Sequence, residues 1–238
     1  MEILVGTSGW SNPLWNPNGL SWYEKHSRLN AIELTMSFYQ LPTPEQIEIW
    51  VQEGKGLTWA VKVNRSVTHF FRFNHLALEK FREFRELFRP LDLQIGYYLF
   101  QLPPNAHPAM RKDIERFVNE TGLGARFALE WRNPKWFVKE QVDWATDLGI
   151  TVVSADSPSI PRDIICTSEV VYLRLHGRSD WFEHHYSRRE LAHIAELVQK
   201  TGCDRVIAIL NNESSQLKNA KALFSILKEL TAVHQPIT

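Results

Sequence analysis

The chain has 238 residues, 44% of them hydrophobic, and 27 Lys plus Arg balance 27 Asp plus Glu. That balance leaves no net field to hold a nucleic-acid backbone or an anionic membrane, and no apolar run reaches the ~18 residues of a membrane span. Length admits one α/β barrel of about 250 residues or two small domains, while 9 Trp and 13 Phe predict rings that line a cavity as well as a core.

The amino terminus, MEILVGTSGW, carries an acid and runs straight into a strand-like segment, without the basic start and apolar core of a signal peptide. Cys166 and Cys203 stand far apart, with neither a CxxC pair nor a zinc-finger histidine spacing. Both features point to a cytoplasmic protein with reduced, independent thiols.

Short apolar runs alternate with longer amphipathic ones from end to end. Ile3 to Val5 reads as the first strand, followed by a long loop through Gly19, and Ala31 to Leu34 as the second. Thr43, Pro44 and Gln46 form a capping box with proline at the first helical position, opening a helix through Ile47, Trp50 and Val51. Leu57 to Val63 is the third strand and about 75–88 a Phe- and Arg-rich helix. In that helix Arg82, Arg85 and Arg89 alternate with Glu79, Glu83 and Glu86, which marks a solvated face.

Gln94 to Leu102 is the fourth strand, ended by Pro103 and Pro104, with a helix near 108–121. Phe127 to Glu130 is the fifth, with a helix that Pro134 can begin. Ile150 to Ala155 is the sixth, but the segment after Asp156, broken by Pro158 and Pro161, shows no clear helix. Val170 to Gly177 is the seventh, an apolar run that stops on His176 and Gly177. Ser187 and Glu190 make a second capping box, Val206 to Leu210 is the eighth strand, and a helix to about residue 230 follows.

Eight strands mostly separated by helices imply parallel pairing through crossovers, hence an α/β fold. The expected architecture is a single TIM-type (β/α)8 barrel over residues 1–238, its helix between strands six and seven missing or very short. An open doubly wound sheet is the competitor, and the absence of GxGxxG after the first strand weakens its dinucleotide-binding form.

A barrel gathers all the carboxyl ends of its strands around one mouth, and here those ends are polar. Ser8 and Trp10 follow the first strand. Glu33 ends the second, with Tyr39 beyond it; Lys62 ends the third, with His69 on the following loop. Gln101 ends the fourth, Glu130 with Arg132 the fifth, Asp156 the sixth, Arg174, His176 and Arg178 the seventh, and Asn211 with Asn212 the eighth.

The same motifs, GTSGWS, ELTMSFY, AVKVNRSVTH, FQLPP, ALEWRNPKW, Asp156, YLRLHGR and LNN followed by Asn219 and Ala220, resemble in order the YecE-like family, also called domain of unknown function 72. The resemblance spans nearly the whole chain. It implies a TIM barrel and a bacterial or archaeal cytosolic protein, and it supplies no reaction. Departures are modest: WSNPLW follows the first strand where an aromatic more often follows the serine, and Thr35 and Met36 replace the usual Asn and Ser. The segment after Asn212 lacks small residues for a shared phosphate contact.

Three chemistries fit these residues. A phosphate or sugar-phosphate site would use Arg174, Arg178 and Lys62 with backbone N–H groups near Gly177 and Asn212, unless the arginines instead pair with Glu33, Glu130 and Asp156. Hydrolysis would use Glu130 and Asp156 as paired carboxylates, one pKa raised by the other, with His176 as a further proton carrier. Glu130 bridging to Arg132 is the structural alternative. A divalent metal on Glu130, Asp156 and His176, with His69, is the third reading, and no cofactor is firmly implied.

Rings on the same loops, Trp10, Trp15, Phe38, Tyr39, Trp131, Trp136, Trp181 and Tyr186, suit stacking on a sugar or base, or pack the loops down. The favoured expectation is a hydrolase-like enzyme for a small anionic or sugar-like ligand. Lys62, His69, Gln101, Arg132, Arg174, Arg178, Asn211, Asn212, Ser8, Trp10, Glu33 and Tyr39 would bind that ligand. A non-catalytic binder of single-stranded nucleic acid is the alternative, with no membrane partner.

Overall fold

A computed structural model describes residues 1–233. Eight parallel strands close on themselves in chain order, β1 to β8, with β1 hydrogen-bonded to both β2 and β8. They are β1 (Glu2–Ser8), β2 (Ala31–Leu34), β3 (Thr58–Lys62), β4 (Ile95–Gln101), β5 (Phe127–Glu130), β6 (Thr151–Asp156), β7 (Val170–Leu175) and β8 (Arg205–Leu210). The ring of helices is α1 (Gly19–His26), α2 (Pro44–Glu53), α3 (His75–Leu87), α4 (Arg111–Thr121), α5 (Lys139–Asp147), α6 (Arg188–Lys200) and α7 (Gln216–Val233). No helix is long and apolar enough to cross a membrane among the described residues.

Local sequence explains most of these boundaries. Thr43 and Ser187 both form complete capping boxes, with Gln46 and Glu190 reaching back to the cap N–H, so α2 and α6 start where the motifs place them. Helix α1, which begins where the expected loop ends, is the element the sequence hides. It is two turns long, begins at a glycine without a side-chain cap, and buries only Leu20 and Tyr23. Gly6 admits no side chain, because a Cβ there would lie 2.2 Å from the Ala31 carbonyl oxygen of the neighbouring strand.

Two cores follow from the period-2 alternation of barrel strands. Inside the barrel lie Leu4, Ala31, Ala60, Tyr97, Leu99, Ala128, Val153, Val170, Tyr172, Ile207 and Ile209. Between strands and helices lies a much larger aromatic and aliphatic layer, in which Phe81, Phe84, Phe100 and Phe117 pack together and Trp10 meets Trp50 and Trp59 at 5.4 and 5.5 Å. Most of the aromatic load therefore serves packing.

The crossover from β6 to β7, residues 157–169, carries no helix. Side chains hold it to the barrel instead: Ile165 N–H donates to Ser154 Oγ at 2.8 Å, and Val152 N–H to Thr167 Oγ1 at 2.8 Å. The expectation of two independent thiols is corrected here. Cys166 and Cys203 form a disulfide with Cα atoms 6.4 Å apart, because the barrel brings the foot of this crossover against the residues that lead into β8. Closing a loop of 37 residues restricts the unfolded chain, so reduction is expected to cost about 2–4 kcal/mol. Urea unfolding midpoints with and without reductant, and for Cys203→Ala, measure that loss.

Candidate functional site

The alternation that fills the barrel also decides which strand ends reach its mouth. Continuing each inward row by one step leads from Ala31 to Glu33, Ala60 to Lys62, Leu99 to Gln101, Ala128 to Glu130, Tyr172 to Arg174 and His176, and Ile209 to Asn211. These side chains converge. On β6 the inward row is Val153 and then Ala155, which pairs with Arg174, so Asp156 falls on the outer face opposite Leu175. The carboxylate pair expected of Glu130 and Asp156 therefore does not assemble.

Arg174 is the hub. Its guanidinium, 1% exposed, donates from Nε and Nη2 to the Glu33 carboxylate at 2.6–3.2 Å and from Nη1 to Glu130 Oε2 at 2.6 Å. The Tyr172 hydroxyl donates to Glu33 Oε2 at 2.9 Å. Arg132 forms a close ion pair with Glu130 Oε1. Burial works to raise the Glu130 carboxyl, but Arg132 and Arg174 outweigh it and hold that carboxyl well below the usual range. Glu130 is thus a fixed anion and not a proton donor.

Lys62 stands apart from this neutralised cluster. Its Nζ donates to Gln101 Oε1 at 2.9 Å, an oxygen that also accepts from Arg132 Nη2 at 3.3 Å, and it lies 4.0 Å from the centre of the Phe38 ring. It makes no ion pair among the described residues, since Glu33 and Glu130 are engaged by the two arginines. Burial first, then the Arg174 charge, lowers its pKa from 10.5 to about 7. The strand end is firmly placed, because Ser37 Oγ donates to the Lys62 carbonyl at 2.6 Å and Val63 N–H to Leu99 O at 2.9 Å.

His176 is buried and faces N–H donors on both sides, Asn211 Nδ2 at 3.2 Å from Nδ1 and Arg132 Nη2 at 3.4 Å from Nε2. A neutral imidazole accepts from one of these and an imidazolium from neither. Burial and then the Arg174 charge push its pKa well below the ordinary value. His69, on a π-helical turn at Ser66–Phe70, shares a hydrogen bond of 2.8 Å with Thr68 Oγ1 and packs edge-on to Phe38 at 5.1 Å. Burial and the Lys62 charge bring it down to about 4, so it too is neutral at pH 7.

Together these groups wall a cavity of about 610 Å³. Its floor is Lys62, Gln101, Arg132, Arg174, His176 and Asn211, and its sides are Ser8, Thr35, Phe38, Tyr39, His69, Trp181, Phe182 and Glu213. Thr35, Phe182 and Glu213 carry no sequence signal for this role. Phe182 reaches the mouth only because the loop after β7 turns at Gly177, φ +119°, where a Cβ would meet Asp180 O at 2.5 Å.

Several expected residues lie elsewhere. Asp156 is 2.8 Å from Arg178 Nε, and Arg178 also reaches Glu190, so both belong to the outer layer. Asn212, one step out of register with Asn211, donates to His184 O and Asn219 Oδ1 at 2.8 and 2.7 Å. Trp10, Trp131 and Trp136 pack in aromatic clusters behind the strands, and the Tyr186 hydroxyl accepts from Gly177 N–H at 3.0 Å. Among the described residues no group of three or more His, Cys, Asp or Glu is placed to hold a metal ion, and the set Glu130, Asp156 and His176 is divided between two faces of the sheet.

The family model for a protein of unknown function, DUF72, matches residues 4–237. The chain belongs to the DUF72 family. A DUF72 family protein from Thermotoga maritima shares 22% identity and a TM-score of 0.82, over 97% of this chain and all of that one. One from Enterococcus faecalis shares 20% identity and a TM-score of 0.81, over 95% of each chain. D-psicose 3-epimerase from Clostridium cellulolyticum H10, 12% identical with a TM-score of 0.56 over 98% of both chains, shows the same barrel architecture. No curated protein matches the chain.

Proposed function

We propose that this DUF72 barrel is an enzyme for a small phosphorylated or sugar-like anion, bound at the mouth and transformed by proton transfer. One observation carries the reading. Arg132 and Arg174 are balanced by Glu33 and Glu130, which leaves Lys62 as a surplus buried cation on the floor of an aromatic-sided cavity. An anion entering the cavity supplies the missing counter-charge. Tyr39 and Trp181 offer rings to a sugar, and Gln101 and Asn211 offer amides to its hydroxyls.

The proton carriers available there are Lys62, poised near neutrality, and the neutral rings of His176 and His69. They replace the carboxylate pair that the sequence pointed to. Epimerisation by the Clostridium protein occurs on a comparable barrel, which makes sugar chemistry a reasonable substrate class on fold analogy alone.

Titration calorimetry with sugar phosphates from pH 6 to 9 tests the reading. Phosphate monoesters are already dianions above about pH 7, since their second pKa is ~6, so any further pH dependence belongs to the protein. Affinity is expected to fall by up to about tenfold per pH unit above pH 7, with a proton taken up on binding. Binding that ignores pH would remove Lys62 from the site.

A second reading has one feature in its favour. Arg65 lies between the exposed rings of Tyr39 and Phe70, at 5.8 and 5.5 Å, which forms a stacking ledge beside the cavity. Oligonucleotide binding that collapses with added salt would favour it over a small-molecule site.

A further inference from the structure

A lysine that served only as counter-charge would sit against Glu33 or Glu130. Lys62 does not: both carboxylates are engaged, and its Nζ is held by one amide oxygen and one ring face. Burial first, and then the Arg174 charge, disfavours its protonated form, which is how a lysine amine is made nucleophilic near neutral pH. Two neutral imidazoles, His176 and His69, line the same cavity and can move the protons that amine chemistry requires.

We infer that Lys62 Nζ is a covalent nucleophile and that the ligand of the mouth carries a ketone or aldehyde, which Lys62 captures as a Schiff base. This rests on the reading of the mouth as an anion site and names the reacting group of its ligand. The free amine's lone pair attacks the carbonyl carbon, and the C=O π pair moves to oxygen, which takes a proton as nitrogen loses one. The carbinolamine then loses its hydroxyl, with one further proton, as water while the nitrogen pair forms the C=N bond. Overall one amine, one carbonyl and one proton give one iminium and one water, with no oxidant or reductant. The iminium charge stands where the ammonium stood, over the Phe38 ring and beside Gln101. Placed next to a bound polyol, such an iminium is an electron sink that makes the adjacent C–H acidic.

The test uses the full chain, with dihydroxyacetone phosphate and, separately, pyruvate as carbonyl probes, each reduced in place with sodium borohydride. The expected result is one adduct of the probe's mass less one oxygen atom, mapped to the peptide containing Lys62. It should be absent without borohydride and in Lys62→Arg, which keeps the charge but not the nucleophile. Glycerol 3-phosphate, which has the phosphate and no carbonyl, should suppress the adduct in the unaltered protein, a control that does not depend on how the variant folds. If glycerol 3-phosphate binds by calorimetry yet neither probe labels Lys62, the Schiff base is overturned and the anion site stands. Labelling spread over surface lysines, equal in Lys62→Arg, also overturns it. Absence of both binding and adduct removes the two readings together.

Discussion

Arg174→Met is expected to destabilise the protein by about 3–5 kcal/mol, the largest single loss among the mouth residues. The guanidinium joins β7 to Glu33 on β2 and Glu130 on β5, three strands that are not neighbours in the barrel. Methionine fills much of the volume but leaves Glu33 with the Tyr172 hydroxyl and Glu130 with Arg132 alone. Buried carboxylates without a counter-charge take up protons, so the variant's deficit should shrink as pH falls and the acids are neutralised. Arg174→Lys should recover only part of the loss, because an ammonium cannot reproduce the fork that meets two carboxylates at once. The double variant Arg174→Met with Glu33→Met should be closer to the original than the single change. Urea unfolding of the three variants reads all these terms, and a loss below about 1 kcal/mol in Arg174→Met would show that the buried cluster is not a cross-brace.

Lys62→Met is expected to act in the opposite sense on stability while weakening anion binding. The Lys62 pKa is about 7 in the folded chain against an ordinary 10.5, so between those values the unfolded chain binds more protons and stability rises with pH. Below about pH 7 the full cost of burying the cation is present, and above 10.5 it is gone. Methionine removes that cost, so the variant should be more stable by on the order of 2 kcal/mol at pH 7, an advantage that fades toward pH 10.5. Anion affinity should drop at least tenfold, in line with the loss of a charge-assisted contact worth about 1.5–3 kcal/mol. Stability gained as binding is lost is the pattern of a residue retained for function. Thermal melts across pH and calorimetry on the same variant separate the two effects. A destabilised Lys62→Met would mean that the lysine is structural.

Much of the site was legible in the sequence. Residues at the carboxyl ends of parallel strands must meet at one mouth, which is enough to place Lys62, Gln101, Glu130, Arg174, His176 and Asn211 there from the strand pattern. The misplacements, Asp156 and Asn212, were errors of parity by one residue. The rule that corrects them was already in the sequence: an inward residue is two steps from an inward apolar one, and Asp156 is three steps from Val153. Arg178 lay beyond that rule, since the turn at Gly177 breaks the strand's alternation and sends the side chain to Asp156.

The sequence by itself determined the eight strands, the capped helices α2 and α6 and the helix-free crossover after β6, because periodicity, capping boxes and prolines act within a few residues. It also determined that the mouth would be polar and rimmed by rings. Only the tertiary structure decided how the charges pair. Tyr172 and Glu33 are 139 residues apart, Arg174 and Glu33 141, and Cys166 and Cys203 37, and no local pattern specifies such contacts. Barrel closure brings them together, and electrostatics then sorts them: two arginines satisfy two buried carboxylates, and Lys62 is left as the one floor cation without a carboxylate partner among the described residues.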